Sequence, residues 1–260
     1  LLKDLAPTTS TAGATASDLL ASAATATAAA TPTDTIKHRI TPAYRTEVVQ
    51  RILAMTSADT YVNITDFEWY ATVLVDLAYV SHVSVGDEIK DRILDIVARV
   101  RGNFRPYAVG LMMRLLRDEN FIAGAQEEGS CGEVLYAASW VVGEYCQYVP
   151  RQQSMRGSRK AHASALLLAS LSTDSKKDMI DALLNPALYQ ISSEISVVAL
   201  TAAVKVFAYF TAEAAEDWTR ELFNDAKALV VKMTGTLAGC TSSPEVELQE
   251  RVRRKGNVTV

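Results

Sequence analysis

The chain has 260 residues, 49% of them hydrophobic and 22% charged, an ordinary balance for a folded protein. Its formal net charge of −4 excludes bulk attraction to nucleic acid, leaving only a local basic patch to consider. Three cysteines, Cys131, Cys146 and Cys240, lack any CxxC spacing and are odd in number, which argues against a disulfide framework and for a reducing compartment.

Leu1 to Leu5 reads as the end of a preceding helix, so the chain is expected to be a fragment of something longer. Residues 6–36 collapse to Ala, Thr and Ser between Pro7 and Pro32 and offer few large apolar groups to offset ordering entropy. They read as a low-complexity insertion. No signal peptide is visible, and no apolar run is read as approaching the roughly 20 residues of a membrane span.

Helical periodicity dominates residues 37–150. The first helix begins at Thr41-Pro42, a cap followed by proline at N1, with Tyr44, Val48, Ile52 and Met55 on its inner face. A second opens on a capping box of Thr65 and Glu68. Its side chains are nearly all apolar (Phe67, Trp69, Tyr70, Val73, Leu74, Val75, Leu77) apart from the stripe Glu68, Thr72, Asp76, which predicts a helix covered on most sides. Gly86-Asp87 starts a third, burying Ile89, Ile93, Ile96, Val97 and Val100. Pro106 starts a fourth with Val109, Met112, Leu115 and Leu116. Ser130 and Glu133 form a capping box for a fifth, through Val134, Leu135, Trp140, Val141 and Tyr145, with Trp140 expected in the core.

Residues 151–177 form a second insertion, basic and rich in Ser and Gln. Helices resume in 178–260: Met179 to Leu184, stopped by Asn185-Pro186; Ser193 to Phe210, with Ile195, Val198, Ala202, Val206 and Tyr209 inward; and Glu213 to Leu237 on Trp218, Leu222, Leu229 and Met233. Ser243-Pro244 begins a last helix. Helix centres about twenty residues apart between Thr41 and Val149 predict an all-α fold, an α-solenoid of stacked HEAT/armadillo-like helix pairs.

Chemistry finds little purchase on this pattern. His38, His82 and His162 are far apart, and no HExxH, CxxC or GxSxG motif occurs. Gly129-Ser130-Cys131-Gly132 lacks the lysine and preceding strand of a phosphate loop and reads as a helix-start turn. The carboxylates Asp87, Asp91 and Asp95 read as a solvated face. No catalytic, cofactor-binding or metal residue is therefore assigned, and the chain is read as a non-enzyme. The one constellation to weigh is Arg99, Arg101, Arg105, Arg114 and Arg117, crowded in sequence around a helix–turn–helix corner. Such guanidinium groups suit an anionic lipid headgroup or an acidic partner. The preferred reading is that they complete helix C-termini and pair with Asp95, Asp118 or Glu119. Phe67, Trp69 and Tyr70 are likewise preferred as core over a binding platform.

Two stretches carry a family resemblance: Asn63-Ile64-Thr65-Asp66-Phe67-Glu68-Trp69-Tyr70 with Val73-Leu74-Val75-Asp76-Leu77, and Cys131-Gly132-Glu133-Val134-Leu135-Tyr136-Ala137-Ala138-Ser139-Trp140-Val141-Val142-Gly143-Glu144-Tyr145. Ala203 to Tyr209 and Val246 to Arg251 add looser matches. Together they resemble the trunk of the large adaptins, most closely the delta-adaptin type of the third heterotetrameric adaptor-protein complex. The resemblance implies a vesicle-coat trunk that assembles with a beta-type large, a medium and a sigma-type small subunit. It implies recruitment with an Arf-type GTPase, and a cytoplasmic protein peripheral on Golgi or endosomal membranes that sorts cargo to the lysosome or vacuole. No cofactor is implied. The alternative is an unrelated HEAT or armadillo carrier gripping peptides in a concave groove, whose Asn and Trp should recur at the repeat period; Trp69, Trp140 and Trp218 do not.

Overall fold

Every regular element that the computed structural model describes, over residues 41–80, 82–148, 175–215, 218–241 and 250, is helical. The expected insertion at 6–36, most of that at 151–177 and the helix beginning at Ser243-Pro244 lie outside the described residues. Among the described residues the order is α1 (Pro42–Ser57), α2 (Phe67–Ala78), α3 (Gly86–Arg99), α4 (Phe104–Arg117), short α5 (Glu119–Gly124), α6 (Val134–Tyr145), α7 (Ser175–Leu183), α8 (Ser193–Ala214) and α9 (Arg220–Thr241).

Two layers emerge from which helices touch. α1 meets α3, α3 meets α6, and α6 meets α8, while α2 meets α4 and α4 meets α7. Between layers, α2 packs on α3, α4 on α6, and α8 on α7 and α9. Each helix thus finds its apolar cover in near neighbours, the arrangement of an α-solenoid. One continuous core runs from Val49 and Leu53 in α1 to Leu229 and Met233 in α9.

The middle helices are covered on most sides, but they are α4 and α6 rather than α2. α4 buries Phe104, Ala108, Val109, Leu111, Met112, Met113, Leu115 and Leu116. α2 buries only Tyr70, Ala71, Leu74, Val75 and Ala78. Its Trp69 is 58% exposed, so the expectation of a core aromatic cluster fails there, while Tyr70 is fully buried. α1 also turns by one residue from its expected register: Val49, Leu53 and Thr56 face inward and Met55 is 62% exposed. Apolar residues at 44, 48, 49, 52, 53 and 55 leave the periodicity open to either register. The structure selects the one in which the Thr56 hydroxyl donates to the Ile52 carbonyl (2.8 Å) and meets the Tyr70 hydroxyl (3.0 Å).

Neither capping box forms. Asp66, not Thr65, caps α2, its Oδ1 accepting from the Glu68 and Trp69 amides at 2.9 and 3.0 Å. A carboxylate one position nearer the helix makes the charge-assisted cap and matches the dipole as well. The Ser130 hydroxyl instead donates back to the Ala125 carbonyl (2.8 Å), and α6 starts from tight turns rather than a side-chain cap. α5, which periodicity missed because it is so short, is capped by Asp118 at the Asn120 and Phe121 amides.

α7 starts at Ser175, before the expected Met179, so Lys176 and Lys177 are helical. Lys176 is buried in an ion pair with Glu213 of α8, and Lys177 reaches Asp225 of α9 at 2.5 Å. Glu213 accordingly belongs to α8, and α9 begins only at Arg220. Tyr209 and Trp218, expected inward, are exposed. α8 also corrects the expectation about apolar runs: its 22 residues, with mean hydropathy 1.8 in the most apolar window, are long and apolar enough to cross a membrane. Its many alanines, with Ser196 and Thr201 among them, hid that from a pattern of large side chains. In the fold Ile195, Ala199, Ala202, Ala203 and Val206 of this helix are buried in the main core.

Candidate interaction surface

The five arginines do not share one corner. Arg105 lies in the first turn of α4 and Arg117 is its last residue, about 18 Å apart at 1.5 Å rise per residue. Sequence proximity across a turn concealed the length of the helix between them.

Each side chain has its own surroundings. The Arg99 Nε donates to Asp95 Oδ1 at 2.6 Å, and Asp95 Oδ2 accepts from the Tyr61 hydroxyl at 2.8 Å. Burial works to raise the Asp95 pKa, but hydrogen bonds from Arg99 and Tyr61 and the charges of Arg99 and Arg92 outweigh it, leaving the carboxyl below its usual value. The Arg105 guanidinium lies over the Tyr145 ring, 4.6 Å from its centre, and donates to the Ala98 carbonyl (3.3 Å) and the Tyr148 hydroxyl (3.4 Å). It thereby ties the end of α3 to the end of α6. Arg117 reaches across to Asp178 of α7 at 3.0 Å. Arg114 is exposed and its charge acts on Asp76, whose burial nonetheless raises that carboxyl above the usual range. Arg101 is exposed just past α3.

Two concave places stand out. An open groove of about 1160 Å³ runs between the end of α4, α7 and α9, walled by Leu116, Ala182, Tyr189 and Gly235. Its charged lining holds the Arg117–Asp178 pair, Lys232 with Asp181 at 2.5 Å, and Glu119. The second is a cavity of about 220 Å³ between α6 and α8, lined by Tyr136, Trp140, Gly143, Val198, Thr201, Ala202 and Lys205. Trp140 is half-buried rather than fully core, and its ring meets Tyr145 edge-on at 5.8 Å. Tyr136 stands in the sequence only as part of the 131–145 stretch; its one signal as a surface partner of Trp140 is their four-residue spacing, which puts both on one helix face.

Cys131 and Cys146 line neither place. Burial pushes the Cys146 thiol up to about 11 and raises Cys131 too, so neither is a thiolate near neutral pH. Among the described residues, no His, Cys, Asp and Glu side chains gather in a group able to hold a metal ion. What the geometry offers is surface: ion-paired ridges, half-buried aromatics and grooves between packed helices.

The family model described as "Adaptin N terminal region" matches residues 32–255. The chain belongs to the adaptin family. This adaptin is 32% identical over 174 residues to AP-3 complex subunit delta of Dictyostelium discoideum, covering 67% of this chain and 13% of that protein. It is 26% identical over 211 residues to AP-3 complex subunit delta of Schizosaccharomyces pombe, covering 80% and 22% respectively. It is also 26% identical over 208 residues to AP-3 complex subunit delta-1 of Bos taurus, covering 80% and 15%. The chain therefore spans between 13% and 22% of the length of these relatives. Their names bear out the delta-type resemblance of residues 63–77 and 131–145, and family membership displaces the reading as an unrelated carrier. The kinship is with large subunits of adaptor complexes.

Proposed function

We propose that this adaptin segment is part of the structural and interaction trunk of a vesicle-coat adaptor complex. In that role it helps carry cargo from Golgi or endosomal membranes to the lysosome or vacuole. Its partners are a beta-type large subunit, a medium subunit and a sigma-type small subunit, with an Arf-type GTPase acting in recruitment. The protein works in the cytoplasm, peripheral on those membranes through its complex. The observation that carries the reading is the two-layer helical stack coinciding with the adaptin match over residues 32–255. A stack of this kind exposes long ridges and grooves on both layers, which suits simultaneous contact with several subunits. The balanced ion pairs of Arg99 and Arg117 favour a structural role for the arginines over a lipid site. Co-expression with sigma-type and beta-type adaptor subunits is the test. A stable co-purifying assembly is expected; a folded chain that associates with neither subunit would overturn the proposal.

A further inference from the structure

We infer that the outer face of α6, centred on Tyr136 and Trp140, is a docking surface for a basic protein segment that inserts one large apolar side chain between α6 and α8. This deepens the trunk reading and rests on it for biological setting, though not for its geometry. The cavity there holds about 220 Å³. Its lining comes from two turns of α6 and two of α8, a span along which a single large side chain can enter between the helices. Trp140 and Tyr136 stand on the α6 side, Val198 and Thr201 on the α8 side, and the close approach of Gly143 to Ala202 closes one end. Half-buried Trp and Tyr in a concave setting have the composition and placement of a binding hot spot.

Charge chooses the partner. Lys90 of α3 lies over the Tyr136 ring at 5.6 Å, pairs with Asp87, and feels the charges of exposed Asp91 and Glu194. Lys205, at the cavity edge, is paired with Glu144. Each lysine already has a carboxylate, by Asp87 at 2.5 Å and by Glu144, which leaves the charges of Asp91 and Glu194 in excess on the Lys90 side of Tyr136. An acidic partner would meet net repulsion here. A basic one gains steering on approach and ion pairs at the rim. The partner segment is therefore one in which Lys or Arg residues flank an exposed Leu, Met or Phe.

Labelled amphipathic peptides test this by fluorescence anisotropy against the whole chain: a Leu/Lys helix, its Leu/Glu counterpart, and a Ser/Lys peptide of equal charge. The Leu/Lys peptide should bind saturably and weaken with salt, and both others should bind at least about tenfold less tightly. Thr201→Trp fills the cavity and should abolish the preference for Leu over Ser. Asp87→Asn with Asp91→Asn, both exposed, should reduce the preference for Lys over Glu while leaving the thermal midpoint near wild type. Equal binding of Leu/Lys and Leu/Glu overturns the basic partner. Equal binding of Ser/Lys and Leu/Lys overturns the inserted side chain, as does a folded Thr201→Trp protein with an unchanged profile. Subunit co-purification reports separately: if the sigma-type or beta-type subunit still associates while the peptides fail these criteria, this inference falls and the trunk reading stands.

Discussion

A Cβ built on Gly143 would stand 2.5 Å from the Cβ of Ala202 and 2.6 Å from its Cα, so α6 and α8 meet there almost backbone to backbone. The obstacle is main chain, not the far end of a flexible side chain, and it cannot step aside cheaply. Gly143→Ala gains about 1 kcal/mol of helix propensity but forces two packed helices apart. Overpacking of this kind typically costs about 1–3 kcal/mol and should win. Thermal unfolding should show a lowered midpoint; a raised one would mean that the helices separate freely.

Two carboxylates should give opposite pH signatures. Asp76 sits above the usual 3.8 because burial disfavours its charge, with Arg114 only partly compensating. A raised carboxyl contributes stability present below its unfolded pKa and lost as pH rises through the folded value, so Asp76→Asn should be stabilising at neutral pH. Asp95 sits below 3.8 despite its burial, held by Arg99 and Tyr61. Its stability is present above the unfolded pKa and lost as pH falls, so Asp95→Asn should be destabilising at neutral pH. Denaturant titrations at neutral pH and near pH 3 should show both differences shrinking in acid. Two variants that shift stability with the same sign at neutral pH would contradict these environments.

How much of this was legible beforehand divides along physical lines. The core face of α3, Ile89, Ile93, Ile96 and Val97, was readable because charged residues of both signs (Asp87, Glu88, Lys90, Asp91, Arg92, Asp95, Arg99) flank its apolar stripe. The register of α1 was not, since six apolar residues on several faces fit two rotations and a buried Thr56–Tyr70 hydroxyl pair decides between them. Trp69 and Trp218 read as core by residue type, yet no helix among the described residues covers them. The two concave places could not be read at all. They form where helices distant in sequence, α6 with α8 and α4 with α7 and α9, leave unequal gaps that no single helix's periodicity encodes.

Ser139 is fully buried in α6, and its hydroxyl has no hydrogen-bond partner. Burying an unpaired hydroxyl costs about 1–3 kcal/mol. Ser139→Ala removes that cost and leaves almost the same shape. The variant should be as stable as wild type or more so, by up to about 2 kcal/mol. Loss of stability in a denaturant titration would reveal a partner for this hydroxyl.

Trp140 packs on the core with one side on the α6–α8 cavity. Truncating a fully buried Trp costs about 3–5 kcal/mol. Half-burial, beside an existing void, should reduce the loss for Trp140→Ala to about 1–3 kcal/mol. Trp140→Phe should lose less still, keeping an aromatic ring near Tyr145. An unchanged midpoint for the alanine variant would show that the indole contributes no packing.

The arginines yield a prediction that separates structure from membrane contact. Arg105 stacks on Tyr145 and bonds the Ala98 carbonyl, so Arg105→Glu should cost about 1–3 kcal/mol and loosen the ends of α3 and α6. Arg101, exposed beyond α3, should tolerate Arg101→Glu with no change in midpoint. Arg99→Glu places like charge beside Asp95 and should lower the midpoint modestly. On this account, sedimentation with phosphoinositide-containing liposomes should be the same for wild type and for a folded Arg99→Glu, Arg101→Glu, Arg105→Glu protein. Engagement of anionic headgroups would instead lose about 1 kcal/mol for each cation removed near the surface. That loss would grow smaller with added salt as screening shortens toward a Debye length of about 3 Å at 1 M. A salt-sensitive loss of liposome binding confined to Arg101→Glu, the variant that leaves the fold untouched, would make the end of α3 a membrane contact.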